Sequence, residues 1–381
     1  MKIAFIRKKY VFHGGSESFS HSLTTGLASK GHEIHLFAIN WQADQRMENI
    51  MFHKIPAITF NSFFRDLSFA IATYFVMRRR RNDFDIIQSH DKTMYQDIYR
   101  AGDGCHIAWV EQRFKRSGLL GKLSLLLNPY HWLILILEKM IFSGHRYRKI
   151  VAISEFVKKD IRKYYDIPDS DIEVIYNGVD TNVFRPENRR IYNREIRSRY
   201  STTDNDIVLL FVGSGFYRKG LEFLVRAAEL VLQPVTVYVV GSGSAKKYRK
   251  MVERQKVIFC GPQKEINKYY AAADIFVFPT LYEPFGNVHL EALASGLPVI
   301  TTKFSGAAEI IEDGRQGFII SSPEDYQAIA EKIMVLANNR ELRERMGENA
   351  RELAEKYSIE RNSQAYLDLY KKLAPPERVP L

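Results

Sequence analysis

The chain has 381 residues, 46% of them hydrophobic and 26% charged, with a formal net charge of +11. That length is more than one core usually supports, and the composition excludes a disordered or fibrous chain, so two globular domains are expected. The only two cysteines, Cys105 and Cys260, exclude a disulfide framework and a zinc site and fit a reducing compartment, while the positive balance calls for an anionic partner: nucleic acid, a phosphorylated substrate or an acidic membrane surface.

In chain order, "KIAFIR" is the first predicted strand; its apolar run is shorter than the core of a signal peptide. "HGGSES" follows, where Gly14 and Gly15 at a helix start allow close approach of a phosphate or sugar. The spacing of Phe19, Leu23 and Leu27 predicts a helix that stops at Gly31. "EIHLFAI", "FHKI", "DIIQSH" and "IYRAG" are the next strands, and the run "RRRR" at 78–81 reads as a helix end. From Arg113 to Lys149 eight cations face Glu138 alone and enclose the apolar run "LSLLLNPYHWLILIL". Asn128, Pro129 and His131 interrupt that run, leaving it too short to span a bilayer, which takes about 20 residues. Two readings stand for it: a helix lying at an anionic lipid surface, or a buried helix with its cations in solvent.

A polar, arginine-rich stretch at 185–200 reads as the joint between a domain at 1–190 and one at 200–357. The second half supplies the strands "DIVLLFVG", "VTVYVVG", "KVIFCG", "DIFVFP", "LPVITT" and "GFIIS", and a last helix near 358–375 could pack on either domain. Alternating strands and amphipathic helices predict an α/β protein with two Rossmann-like domains, and ligands of such sheets bind outside the carboxyl ends of the strands, in the gap between the domains.

Two loops of the second half carry chemistry. In "VGSGFYRKG", Gly213 and Gly215 supply backbone access and Arg218 and Lys219 fixed positive charge, a composition suited to a diphosphate. In "LYEPFGNVHLEALASG", the first N–H groups of a helix at Phe285, Gly286 and Asn287 are expected to be free for a ligand, with Glu283 before them and Glu291 one turn inside. Two carboxylates beside free amides suit a polyhydroxylated ligand such as a sugar with a ribose.

Taken in order, "GG" after the first strand, "GSGFYRKG", "CGPQ" with Pro262, "AAADIFVFPTLYEPFGNVHLEALASGLPVITT" and "GAAEII" resemble the retaining glycosyltransferases of the two-Rossmann (GT-B) type, family 4, most of all the bacterial lipopolysaccharide core glucosyltransferases. The resemblance implies that Glu283 and the amides of 285–287 hold the donor hexose, that Glu291 holds the ribose, and that Arg218 and Lys219 neutralise the departing diphosphate. It implies no cofactor and no metal, a nucleotide-sugar donor (UDP-glucose first), a glycan or glycolipid acceptor, retention by front-face attack, and no nucleic acid. Many members place a histidine near the sugar where this chain has "RAGDGCH"; Asp103 takes that place, with His90 and His106 as alternative bases. A cytoplasmic protein, attached at the inner membrane face through 113–149, is the expectation. A nucleotide-sugar epimerase of the same architecture and a basic nucleic-acid-binding protein are the alternatives.

Overall fold

The computed structural model describes residues 1–10, 15–41 and 49–374, with 15–18 described by backbone alone; Gly14 lies outside the described residues. The chain divides into two compact units, Met1–Asn177 with the segment from Ile359 onward, and Gly178–Ser358.

The first unit holds strands β1 (Lys2–Ile6), β2 (Lys9–Tyr10), β3 (Glu33–Ala38), β4 (Asn40–Trp41), β5 (Ile50–Lys54), β6 (Ile86–Ser89), β7 (Ile98–Ala101), β8 (Lys149–Ala152) and β9 (Ile172–Val174). Its helices are α1 (Gly15–Ser29), α2 (Ser62–Arg79), α3 (His106–Arg116), α4 (Leu119–Leu127), α5 (Pro129–Phe142) and α6 (Glu155–Tyr165). Seven strands form one parallel sheet in the order β5-β3-β1-β6-β7-β8-β9, and β2 pairs with β4. Alternation along β1 shows why both faces are covered. Ile3 and Phe5 join a core with Phe19, Leu23 and Leu27 of α1, whereas Ala4 and Ile6 join another with Phe69 and Met77 of α2. α1 ends at Ser29, and Gly31 follows it at φ +83°. Strands β8 and β9, absent from the sequence reading, are only four and three residues long.

In the second unit, α7 (Asn188–Arg199) precedes β10 (Ile207–Val212), α8 (Leu221–Leu230), β11 (Val235–Val240), α9 (Lys246–Arg249) and β12 (Lys256–Gly261). Then come α10 (Asn267–Ala272), β13 (Ile275–Phe278), α11 (Asn287–Ala294), β14 (Val299–Thr302), β15 (Gly317–Ile320), α12 (Tyr326–Asn338) and α13 (Arg340–Glu355). The sheet runs β12-β11-β10-β13-β14-β15, all parallel. Most of the stretch 185–200 is thus α7, a helix of the second unit rather than a joint, because Arg197 is buried. Arg197 donates to Asp274 Oδ2 at 2.7 Å and to the carbonyls of Ala272, Thr203 and Asp206.

The last helix, α14 (Ile359–Leu373), returns to the first unit, where Tyr366, Leu367, Leu369 and Tyr370 pack in the core with α1. Each sheet reverses its strand order once, between β1 and β6 in the first and between β10 and β13 in the second. Crevices for ligands open at such points.

Candidate active site

At the crevice of the second unit, Gly213–Gly220 follow β10 and Pro279–Gly286 follow β13. Arg218 stitches the two loops: its carbonyl accepts from Leu281 N at 2.9 Å and Thr280 Oγ1 at 3.0 Å, and its Nη1 donates to the Tyr282 carbonyl at 2.9 Å. Gly220, at φ +78°, lets α8 start against Pro279, whose carbonyl oxygen would lie 1.8 Å from an added Cβ.

Glu283 is 8% exposed and pairs with both cations of the loop, contacting Lys219 Nζ directly and Arg218 Nη1 at 3.3 Å. Burial pushes the Glu283 carboxyl up, but Lys219, Arg218 and the Lys219 hydrogen bond outweigh it and hold the group below the ordinary carboxylate value. For Lys219, burial with repulsion from Arg218 holds the ammonium below its usual value although Glu283 opposes this. Glu283 is therefore ionised at neutral pH. An ionised carboxylate has about four acceptor positions, so Glu283 can hold these cations and still accept from hydroxyls.

Gly286 caps α11 at φ +87°, and an added Cβ would lie 2.7 Å from His289 Nδ1 and 2.9 Å from Glu283 Cγ. Phe285 and Asn287 are both engaged within the fold, and Phe285 is fully buried. The turn itself is tied to the 304–307 loop. There the carbonyls of Glu283 and Phe285 accept from Gly306 N and Ala307 N, and Glu283 N donates to the Phe304 carbonyl. One turn on, Glu291 Oε2 accepts from Tyr270 OH at 2.8 Å. Burial raises the Glu291 carboxyl to about 7 against that hydrogen bond. His289, beneath the turn, meets Thr301 Oγ1 at 2.8 Å, and burial lowers its ring to about 4, so it is neutral. Pro262 is exposed after β12, two strands from β10, and no described contact joins it to the Glu283 cluster.

At the crevice of the first unit a cavity of about 230 Å³ is lined by residues that follow β1 (Arg7, Lys8, Lys9), β6 (His90, Asp91) and β7 (Gly102, Asp103), with Arg65 and Arg100. It brings Asp103 and His90 together. Asp103 is exposed within it; what burial it has works upward, yet Lys92, Arg7, Lys8 and Arg100 hold its carboxyl below the ordinary value. Both ring nitrogens of His90 are occupied, Nδ1 with Ser20 Oγ at 3.0 Å and Nε2 with Gln88 Nε2 at 2.7 Å, and burial keeps the ring neutral. His106 does not line the cavity. Its Nε2 meets His131 Nδ1 at 2.9 Å, its backbone N–H donates to Glu138 Oε1 at 2.6 Å, and burial lowers the ring to about 3. Gly15 opens α1, the helix that runs on to Ser20.

Sequence reasoning missed Arg100, Lys8, Glu138 and Tyr270. An arginine inside the apolar strand "IYRAG" was the available signal for Arg100, since an isolated cation in a central parallel strand demands partners. Among the described residues no group of three or more His, Cys, Asp or Glu is arranged to hold a metal ion.

Two family models match almost end to end, "Glycosyltransferase Family 4" over residues 13–183 and "Glycosyl transferases group 1" over 193–353. The chain is 26% identical to the lipopolysaccharide glucosyltransferase WaaG of Escherichia coli over 93% of this chain and 94% of that protein. It is 27% identical to a capsular polysaccharide biosynthesis glycosyltransferase of Staphylococcus aureus over 92% and 93%. Among solved structures, that of WaaG superposes with a TM-score of 0.81 at 22% identity over 97% of this chain and 99% of the other. An Anabaena protein crystallised with UDP and glucose gives 0.71 at 19% identity over 97% and 99%. With two parallel sheets, each with one crevice, and matches running nearly end to end, the chain belongs to family 4 of the glycosyltransferases, of the two-Rossmann type.

Proposed function

We propose that this glycosyltransferase moves a hexose, glucose from UDP-glucose in the first instance, to a sugar of a lipid-linked or lipopolysaccharide-type acceptor, with retention of anomeric configuration and without a metal. The observation that carries the reading is the buried Glu283 clamped by Arg218 and Lys219 in the loop eight residues before Glu291. Glu283 and the Gly286 turn would accept the hexose hydroxyls, Glu291 the ribose hydroxyls. Arg218 and Lys219 would meet the diphosphate, supplying fixed positive charge where it develops as the sugar leaves. As the bond from the anomeric carbon to phosphate oxygen breaks, the acceptor oxygen forms its bond on the same face and its proton passes to the departing phosphate. Asp103 would orient the acceptor hydroxyl; it is ionised and open to the cavity, whereas His90 is committed to Ser20 and Gln88.

Names of relatives support this reading: a lipopolysaccharide glucosyltransferase and a fold neighbour holding UDP and glucose. A thermal-shift screen of nucleotide sugars tests it, because a ligand that binds only the native state raises the melting temperature. UDP-glucose is expected to give the largest shift and to be turned over to UDP, and no shift with any nucleotide sugar would remove the proposal.

Attachment to an anionic membrane face is the second part of the proposal. α4 exposes Leu119 and Leu120 at 84% and 83%, and Leu127 at 71%, while α5 adds Trp132 and Ile136. The other side of α5 is buried through Leu133, Leu137 and Ile141, so the segment combines an exposed apolar surface with a core helix. Among the described residues no single helix is long and apolar enough to cross a membrane; α4 and α5 reach that length only as a pair bent by 58°. The bend is built in by Asn128, whose side chain caps Tyr130 N, and by Pro129 at the first position of α5. Arg113, Lys115, Arg116 and Lys122 flank the leucines, the arrangement of an interfacial anchor.

A further inference from the structure

Two of the cations that line the first-unit cavity, Arg100 and Lys9, make no ion pair with any described carboxylate. Arg100 is 2% exposed, yet it forms no ion pair with any described residue. Its Nε donates to Tyr366 OH at 3.1 Å, its Nη2 to Asn177 Oδ1 at 2.6 Å, and the guanidinium lies 4.1 Å from the centre of the Phe19 ring. These contacts fix the group without cancelling its charge. Nη1 is left against Gly102, where an added Cβ would come within 2.2 Å. Lys9, in the same lining, is exposed, and its ammonium has no hydrogen-bond or ion-pair partner among the described residues. Lys8 and Arg65 differ: Lys8 pairs with Asp66 at 2.9 Å and Asp91 at 3.2 Å, and Arg65 with Asp66 at 2.8 Å.

A buried guanidinium without a counter-charge is costly, and the cost is recovered when an anion enters. Arg and Lys facing one opening beside a glycine suit a compact dianion with several acceptor oxygens. We propose that this cavity takes a phosphate monoester carried by the acceptor, seated on Arg100 and Lys9 beside the hydroxyl that Asp103 orients. The inference rests on the reading of the first unit as the acceptor side. Gly102 has no side chain to crowd Arg100 Nη1, and Asp103, which lines the same cavity and attracts Arg100 without an ion pair between them, serves the neighbouring hydroxyl.

The test titrates the full chain, saturated with UDP so that Arg218 and Lys219 are occupied, with inorganic phosphate and with a hexose monophosphate beside its parent hexose, and follows binding by phosphorus NMR and calorimetry. Both phosphates are expected to bind and the hexose not. Affinity should fall about tenfold in Arg100→Gln and about threefold in Lys9→Gln, as for loss of a charge-assisted hydrogen bond at a buried and an exposed site; Lys246→Gln, at an exposed cation of the second unit, should leave it unchanged. Lys9→Gln sits on the surface, so the test survives if Arg100→Gln fails to fold. Equal phosphate affinity in wild type and Lys9→Gln, or no phosphate binding while UDP is saturating, overturns the assignment. A nucleotide-sugar shift that persists while phosphate ignores these residues sinks only this inference, whereas loss of that shift sinks the donor reading itself.

Discussion

Glu291 is the residue whose titration should be visible in function. Its carboxyl is raised to about 7 by burial, and ribose hydroxyls donate best to the ionised form. Donor affinity should therefore rise with pH through about 7, with proton release on binding at lower pH, and Glu291→Gln should flatten the profile; calorimetry in buffers of different ionisation enthalpy measures both. The same raised value has a stability sign: the fold binds the proton more tightly than the unfolded chain, so this contribution is full below about 4.5 and is lost as pH rises through about 7. Glu291→Ala should abolish the donor thermal shift, a loss of roughly tenfold or more in affinity for hydrogen bonds to a charged group. Lys219→Ala, which removes a cation held on Glu283 and over the Phe278 ring, should lower kcat by roughly a hundredfold or more. An unchanged kcat would take Lys219 out of the transition state.

At the scale of elements, the turn between β13 and α11 is shaped by one backbone position. Gly286→Ala would force φ +87° on an L side chain and drive its Cβ into His289 and Glu283. A cost of about 1–3 kcal/mol is expected from the strain alone, together with a donor KM raised more than a conservative change at the exposed Tyr217 would raise it. Arg197→Ala on α7 should be costlier, about 2–4 kcal/mol, since it removes the buried partner of Asp274, leaving it Arg189, and takes the donor from the carbonyls of Ala272, Thr203 and Asp206; chemical denaturation followed by circular dichroism reads it. The motif loops were legible in the sequence because chemistry there is concentrated in short, contiguous runs: Glu283, Gly286 and Glu291 lie on one loop and one helix. α7 was not legible, since its arginine content reads as a solvated joint until Arg197 is seen to be buried. Strand β9 was missed because three residues give no periodicity, and β8, as long as β7, because it begins at Lys149, the last cation of the basic segment. Glu138 was unreadable for another reason: it looks like the single acid of a basic stretch, yet it is fully buried, accepting from His106 N and Tyr165 OH and pairing with Lys92, partners spread over 73 positions.

For the whole molecule, the exposed leucines of α4 predict behaviour at surfaces. Purified protein should bind anionic vesicles at low salt and release as salt screens its cations, and Leu119→Glu with Leu120→Glu should reduce retention at least tenfold while leaving the melting temperature nearly unchanged. Retention unaffected by both substitutions would remove the membrane reading. The two-unit architecture was legible from the repeated strand and helix rhythm; the location of α14 was not, because its amphipathic face, with Tyr366, Leu367 and Tyr370, suits any core.

That returning helix has a consequence for how the protein is made. Tyr366 supports Arg100, and Tyr370 OH donates to Gln88 Oε1 at 2.8 Å, the side chain that meets His90. The segment made after the second unit therefore completes the unit begun before it. Residues 178–358 can finish folding while the amino-terminal half still waits with an unfilled groove, reversing the usual vectorial order. A nascent chain arrested before Ile359 should already recognise UDP while its leading half remains open to chaperones and proteases.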